Sequence, residues 1–352
     1  MTTGITPRER VLGLLERRQV DRLACYSGMG NVTTAGLEGL GYRFTELHGD
    51  PRKMAAAAAT SYELFGFECA VVPYDLCVEA EALGCTMNPY SEVEHLLYPT
   101  IKEKAIHSEE DMARIQIPSD LESRGRIPVV AEAIGILKRE VGRYLPVGTY
   151  CLGPFTLAGQ LMDLNELFKL SFKKQKEVRA MLDILADLVI QVAEIYRRAG
   201  ADYVCIREMG ATTDVLSPRA FRALIRPPLE KIFAGIRYPK VLHICGNTNS
   251  VVKDMVESGP DAISVEQRND LVKTREEVGP GPLVFGNVDA YNVLVNGKPE
   301  DVERAVLASI ENGVDALWPS CDIWPTAPVE NLRVMVDTVK RYGAEKWVRK
   351  RG

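Results

Sequence analysis

Three short segments of one pattern, a glycine followed two residues later by an aspartate, separate helical from strand-like stretches of the chain. They are Gly200-Ala201-Asp202, Gly259-Pro260-Asp261 and Gly313-Val314-Asp315. In each segment the glycine ends an amphipathic stretch, and an apolar run typical of a strand follows the aspartate. Repeated helix–glycine–strand units predict parallel strands that are joined by helical crossovers.

The same alternation of strand-like and helical stretches extends along most of the chain. Apolar runs predict eight strands, at 22–28, 68–75, 145–151, 202–208, 240–245, 261–266, 282–287 and 315–321. Amphipathic stretches predict helices at 171–199, 217–236, 248–258 and 299–311. Eight such units favour an α/β fold of the (β/α)8 TIM-barrel type over a doubly wound sheet.

The rest of the chain adds to this barrel without indicating a second domain. We expect an N-terminal helical extension, and the long interval 76–143 predicts a lobe inserted between the second and third strands, near the barrel mouth. No Ser/Gly-rich linker or low-complexity segment interrupts the sequence. Residues 1–352 are therefore predicted to form a single domain.

Charge and hydropathy exclude several classes of function. A formal net charge of −5 gives no electrostatic reason to expect binding to nucleic acid or to an anionic membrane. The N-terminus has no apolar signal region, and no stretch approaches the ~18 apolar residues of a membrane span. We expect a cytoplasmic protein, in which most of the eight cysteines are reduced core residues.

The segment 240–246 places a histidine and a cysteine two residues apart at the end of a predicted strand. The strand period of two turns His243 and Cys245 toward the same side, where an imidazole nitrogen and a sulfur can converge on one soft metal ion. In a barrel, Cys321 at the end of the eighth strand would face the same mouth. A His/Cys/Cys zinc site is the leading hypothesis, and a packed histidine with two buried thiols is the alternative.

Two polar residues that follow the seventh strand, Asn287 and Asp289, offer oxygen donors that suit a thiolate-rich site poorly. A hydrogen bond from one of them to the His243 ring is one interpretation, because ligating imidazoles nearly always bond through their second nitrogen. Capping of the loop after the strand is the other.

At this point the chain resembles a known family over nearly its whole length. It is similar to the uroporphyrinogen decarboxylase superfamily, in particular to its zinc-dependent methylcobamide:coenzyme M methyltransferases, a corrinoid-protein methyltransferase family. The motifs that carry the resemblance are Thr6–Val11, Glu79–Gly84, Gly153–Ala158, His243–Asn247, Gly286–Asp289, Pro319–Ile323 and Thr326–Asn331. The third and fifth of these are shared across the superfamily and do not separate its branches.

The resemblance implies a TIM barrel, a zinc site and a methyl transfer. The family's metal motif maps onto His243, Cys245 and Cys321, and a carboxylate that can occupy the fourth position maps best onto Glu266, with Glu208 as the second choice. Either glutamate could instead pair with a cation. The implied reaction moves a methyl group from a methylated corrinoid to a thiol such as coenzyme M, which zinc holds as a thiolate.

The corrinoid is expected to come from outside this chain. The Asp-x-His-x-x-Gly signature of cobalamin carriers is absent around all four histidines, so methylcobalamin would arrive on a partner corrinoid protein or free. Three alternatives stay open: a corrinoid-dependent transfer that uses tetrahydrofolate or another donor or acceptor, uroporphyrinogen decarboxylase itself, and a non-catalytic corrinoid-binding barrel. The decarboxylase is disfavoured because residues 25–32 contain no arginine to bind a polycarboxylate.

Overall fold

A computed structural model describes residues 4–90, 92 and 96–349, and the side chains of residues 4–90, 92 and 96–344. The strands in this part of the chain are β1 (Ala24–Cys25), β2 (Ala70–Val72), β3 (Thr86–Asn88), β4 (Thr100–Glu103), β5 (Val147–Leu152), β6 (Tyr203–Arg207), β7 (Lys240–Ile244), β8 (Ala262–Val265), β9 (Leu283–Val288) and β10 (Ala316–Pro319). Each of the eight predicted strands overlaps one of them.

Helices connect these strands. They are α1 (Pro7–Leu15), α2 (Thr34–Leu40), α3 (Pro51–Phe65), α4 (Val78–Ala82), α5 (Glu109–Ala113), α6 (Ile127–Glu140), α7 (Pro154–Leu161), α8 (Leu164–Lys173), α9 (Gln175–Ala199), α10 (Pro218–Ala220), α11 (Arg226–Gly235), α12 (Val252–Glu257), α13 (Leu271–Val278), α14 (Pro299–Glu311) and α15 (Val329–Arg349). Within the described ranges no helix is long and apolar enough to cross a membrane.

The predicted TIM barrel is confirmed. Among the described residues, eight parallel strands form one sheet in the order β1-β10-β9-β8-β7-β6-β5-β2. The two edges of this sheet meet where the Glu68 N–H, just before β2, donates to the carbonyl of Cys25 on β1 at 2.9 Å. The carboxyl ends of all eight strands therefore open at one mouth.

The N-terminal extension and the inserted lobe are also confirmed. Helix α1 precedes the first strand and begins at Thr6, whose hydroxyl accepts from the Glu9 N–H while the Glu9 carboxylate accepts from the Thr6 N–H. The lobe lies between β2 and β5. It contains helices α4 to α6 and the antiparallel hairpin β3–β4, in which Asn88 lies opposite Thr100.

The barrel has an inner core and an outer core. Tyr26 contacts the rings of Tyr203, Phe285 and Trp318 edge-on, with ring centroids 5.1 to 5.7 Å apart, in the inner core. The other face of each strand packs against the surrounding helices. Because strand side chains alternate between these two cores, the residue after each inward position points to the helices.

Candidate metal centre at the barrel mouth

Strand β7 places the first two predicted ligands. Val241 belongs to the inner core, whereas Leu242 and Ile244 belong to the outer core, so the alternation turns His243 inward. Cys245 follows the end of the strand on the same side. His243 is fully buried and Cys245 is half-buried, which places the imidazole under the thiol at the mouth.

A glycine turn after Cys245 holds this strand end in place. Gly246 has a φ of +82°, and a Cβ atom there would collide with Thr212 Oγ1. Glycine adopts this conformation without steric cost. Its N–H donates to the Glu266 carboxylate.

The three predicted ligands converge, although they come from different strands. His243 Nε2 lies 3.0 Å from Cys245 Sγ, and Cys245 Sγ lies 3.7 Å from Cys321 Sγ. All three donor atoms lie within 4.8 Å of one another. We call His243, Cys245 and Cys321 the His/Cys cluster.

The neighbouring strand orients the imidazole. Ser264 on β8 lies opposite His243 in the parallel register, and its Oγ is 3.0 Å from His243 Nδ1. With Nδ1 engaged by the hydroxyl, Nε2 is the nitrogen that faces the sulfur atoms. Ligating histidines in metal proteins are held in this way through their second nitrogen.

Charge is shared unevenly between the two thiols of the cluster. The hydrogen bond with Cys245 lowers the pKa of Cys321 to about 5. The same contact, together with burial, raises the pKa of Cys245 well above its ordinary value. The pair therefore shares one proton. A cation beside the two sulfurs would favour the loss of this remaining proton.

Glu266 lies next to the cluster but not in it. One carboxylate oxygen accepts from the Gly246 N–H, and the other accepts from Arg268 Nε at 3.2 Å. Among the described residues, the potential metal ligands whose donor atoms all lie within 4.8 Å of one another are those of the His/Cys cluster, and Glu266 is not one of them. The role of Glu266 as a fourth ligand stays a prediction.

Glu208, the second candidate for the fourth ligand, follows β6 and is fully buried against the first residues of helix α7. Its carboxylate accepts from the Phe155 N–H at 3.0 Å, from the Thr156 N–H at 2.7 Å and from the Thr156 hydroxyl at 2.6 Å. Burial raises the pKa of Glu208 to about 7. These contacts cap the helix, and the role of Glu208 as a ligand stays a prediction.

Asn287 lies on β9 and Asp289 follows the end of that strand, and both side chains bond to backbone groups. The Asn287 amide donates to the carbonyls of Glu266 and Asn269 at 3.3 and 3.1 Å, and Asp289 accepts from the Tyr291 N–H at 2.9 Å. Of the two interpretations left open, the hydrogen bond to His243 was wrong, because Ser264 occupies that position, whereas Asp289 caps the loop after the strand.

Sequence reasoning missed an ion pair beside Cys321. The Arg207 guanidinium donates to both carboxylate oxygens of Asp322, at 3.0 and 2.5 Å. It also lies 4.7 Å from the centroid of the Tyr150 ring. The Gly30 N–H donates to Asp322 at 2.7 Å. The sequence does show both charged residues at or near predicted strand ends. It does not show that they pair, because the pairing requires the closed barrel.

A cavity of about 390 Å³ opens beside the cluster. Cys321, Asp322 and Arg207 line one end of it. Its walls come from the end of β2, the hairpin of the lobe, helix α7 and the loop after β10. They consist of Tyr74, Asp75, Leu76, Cys77, Tyr98, Pro99, Thr100, Ile101, Gln160 and Trp324. A pocket of this size accommodates a small molecule, and Cys321 is among the residues that line it.

Comparisons with known proteins agree with this fold. The family model described as Uroporphyrinogen decarboxylase (URO-D) matches residues 6–342. A methylcobamide:CoM methyltransferase MtaA from Methanosarcina barkeri is 32% identical over 345 residues, covering 96% of this chain and 99% of that protein. A methylcobamide:CoM methyltransferase MtbA from Methanosarcina mazei is 34% identical over 345 residues, covering 97% and 99%.

A solved structure supports the same assignment. A methyltransferase from Methanosarcina mazei superimposes with a TM-score of 0.91 at 31% sequence identity, covering 96% of this chain and 99% of that one. The resemblance seen in the sequence motifs is thereby confirmed. The chain belongs to the uroporphyrinogen decarboxylase family and, within that family, to its methyltransferases.

Proposed function

We propose that this methyltransferase moves a methyl group between a methylated corrinoid and a thiol at a zinc site formed by His243, Cys245 and Cys321. The observation that carries the proposal is the convergence of one imidazole nitrogen and two sulfurs within 4.8 Å at the barrel mouth. The related methylcobamide:CoM methyltransferases support this class of substrates.

The donor set fits zinc rather than a harder cation. Thiolate and imidazole ligands select zinc among the common divalent ions. Three protein ligands are the number found in catalytic zinc sites, which keep a fourth position open. When bound, zinc would supply an open position at which a substrate thiol loses its proton near neutral pH.

The residues around the cluster orient the ligands and shape access. Ser264 holds the His243 ring, and the Asp322–Arg207 pair anchors the loop that carries Cys321. Because Cys321 lines the cavity, the substrate thiol would reach the cluster through this cavity. In the transfer, the acceptor sulfur bonds to the methyl carbon, the cobalt–carbon bond breaks with its electron pair left on cobalt, and the thiol proton is released.

A second molecule would supply the corrinoid. Because the chain lacks the Asp-x-His-x-x-Gly signature, methylcobalamin would reach the mouth on a partner corrinoid protein or free in solution. The eight unpaired cysteines suit the reducing cytoplasm, where we place the reaction.

Zinc content of cysteine variants tests the proposal. Wild-type protein should contain about one zinc per chain, whereas Cys245→Ala and Cys321→Ala should lose both the metal and methyl transfer from methylcobalamin to a thiol, because a three-ligand site rarely tolerates the loss of one ligand. The matched control is Cys85→Ala, since that thiol lies in the lobe at 3.8 Å from the Gln160 carbonyl. Full zinc retention in both cluster variants, or transfer by metal-free enzyme, would contradict the proposal.

Two glutamine variants test the fourth ligand. Glu266→Gln should keep zinc and change thiol affinity by less than about tenfold, because its carboxylate would only compete for the open position. Equilibrium thiol binding measured by calorimetry gives this comparison. Loss of zinc in Glu208→Gln, with Glu266→Gln unchanged, would transfer the role to Glu208.

A further inference from the structure

We propose that the thiol substrate carries a neutral, apolar substituent rather than an anionic group such as a sulfonate. This inference rests on the proposed function, because it names the substrate class of that site. It departs from the related methylcobamide:CoM methyltransferases, because CoM is a thiol that ends in a sulfonate. Three features of the cavity beside Cys321 support it.

The first feature is the apolar wall of the cavity. The side chains of Leu76, Tyr98, Ile101 and Trp324 face it, together with Pro99 from the hairpin loop. Tyr98 and Trp324 are also among the exposed large hydrophobic residues of the described chain. Surface of this kind gains from burial against an alkyl or aryl group, and it offers an anion no charged donor.

The second feature is the inaccessibility of the cavity's cation. Among the described lining residues, Arg207 is the one with a permanent positive charge, and its side chain is 1% exposed. Both of its terminal nitrogens donate to Asp322, and its Nε–H is buried. The exposed partner is the carboxylate of Asp322, at 29%. A substrate at this end therefore meets negative rather than positive charge.

The third feature concerns the other possible anion site at the far wall. Asp75 lines the cavity there, and Arg126 donates to both of its oxygens at 2.7 and 2.9 Å. Helix α4 begins nearby at Val78, but its first turn carries the carboxylate of Glu81. Acidic residues cancel the partial positive charge of a helix start, so this wall does not attract a sulfonate either.

These features decide selectivity through desolvation. A sulfonate that enters the cavity loses its hydration and gains no charged donor in return, and an unpaired buried charge is strongly disfavoured. A neutral substituent loses little hydration energy and gains from the burial of its apolar area. We therefore expect the neutral compound to bind at least about tenfold more tightly than the anionic compound of the same chain length.

Product binding tests the cavity without the metal. Calorimetric titration of metal-free protein with methyl propyl sulfide and with 2-(methylthio)ethanesulfonate compares two S-methyl thioethers that differ in the terminal group. The neutral thioether should bind at least about tenfold more tightly. Equal affinity, or tighter binding of the sulfonate, would overturn the inference. Neither ligand has a thiol to ionise, so the result is independent of zinc chemistry.

Turnover separates this inference from the proposed function. With zinc-loaded enzyme and methylcobalamin, 1-propanethiol should be methylated with a higher kcat/KM than 2-mercaptoethanesulfonate. A preference for the sulfonate would refute the inference and leave the function intact. Methylation of neither thiol would refute the function, while the product-binding comparison would still decide the preference of the cavity.

A charge variant links the preference to the ion pair. Asp322→Asn removes the carboxylate that screens Arg207, so the affinity for 2-(methylthio)ethanesulfonate relative to methyl propyl sulfide should increase about tenfold. The control Asp337→Asn removes one negative charge from α15, where the side chain is 61% exposed, and should leave this ratio unchanged. An unchanged ratio in folded Asp322→Asn would contradict the role assigned to the pair. If that variant does not fold, the wild-type titration still decides.

Discussion

Two groups of polar residues at the barrel mouth differ in how their charges are balanced. The His/Cys cluster ends β7 and β10, and its donor atoms face one another. The second group, which we call the lobe cluster, consists of His48, Asp75, Glu81 and Arg126 beyond the end of β2. There Arg126 bonds to Asp75 and, at 2.8 Å, to Glu81, while His48 Nδ1 lies 3.2 Å from Asp75.

This difference separates a site that attaches the lobe to the barrel from a site suited to bind a ligand. In the lobe cluster positive and negative groups compensate each other: burial alone would raise the pKa of Asp75, but the hydrogen bonds from His48 and Arg126 hold it well below its ordinary value. In the His/Cys cluster two thiols share a proton, a pairing that a soft cation would replace. We expect mutations of the lobe cluster to affect stability and mutations of the His/Cys cluster to affect metal binding.

The largest expected effect is on stability. Arg126→Met should reduce the free energy of unfolding by about 3–5 kcal/mol, because it leaves Asp75 as a buried charge without its main partner. Urea denaturation measures the loss, and zinc content per folded chain should stay at the wild-type value. The control Arg304→Met removes a side chain that is 72% exposed and should change stability by less than about 0.5 kcal/mol. Loss of zinc in the folded Arg126 variant would break the separation between the two clusters.

A pH dependence beside the lobe cluster comes next in size. Burial raises the pKa of Glu79 to about 7, whereas the unfolded value is about 4.3. Folding therefore favours the protonated acid, and its contribution to stability is complete below about pH 4 and is lost as the pH rises through about 7. Between pH 5 and 8, Glu79→Gln should gain about 3 kcal/mol of unfolding free energy relative to wild type. A difference that stays constant across these pH values in denaturant titrations would contradict the raised pKa.

The smallest expected effect is at the His/Cys cluster. Ser264→Ala removes the partner of His243 Nδ1 and should weaken zinc binding by about 10–100-fold, with little change in stability beyond ~1 kcal/mol. Competition with a chelator measures the affinity. Ser258→Ala is a matched control, because that hydroxyl is also buried but donates to the Met255 carbonyl at 2.7 Å. Equal zinc affinity in both serine variants would show that the imidazole is oriented without Ser264.

Some features of the site could be predicted because they depend on local periodicity. The positions of His243 and Cys245 on one side follow from the strand period of two, and the contribution of Cys321 follows from the rule that barrel strand ends share a mouth. The eight strands were predicted for the same reason, although the bounds of β5 and β9 extend one residue further than expected. The helix expected at 171–199 is divided, since residues 171–173 belong to α8.

Other features could not be predicted because they depend on distances through space. Arg207 and Asp322 are 115 positions apart, and Arg126 and Asp75 are 51 positions apart. The positions of Glu208 and Glu266 also depend on backbone N–H groups, at the start of α7 and at Gly246, that only the folded chain presents. The candidate ligands were visible in the sequence, whereas the cations that neutralise the nearby carboxylates were not.

The sequence by itself determined the barrel and the three soft donors, because side-chain alternation and helix–glycine–strand repeats act over a few residues. The tertiary structure alone decided that Ser264 orients His243, that Asp322 covers the charge of Arg207 and that the cavity beside Cys321 is mostly apolar. The physical reason is that a Coulomb or hydrogen-bond energy depends on separation and burial, which the closure of the barrel sets for residues far apart in the chain.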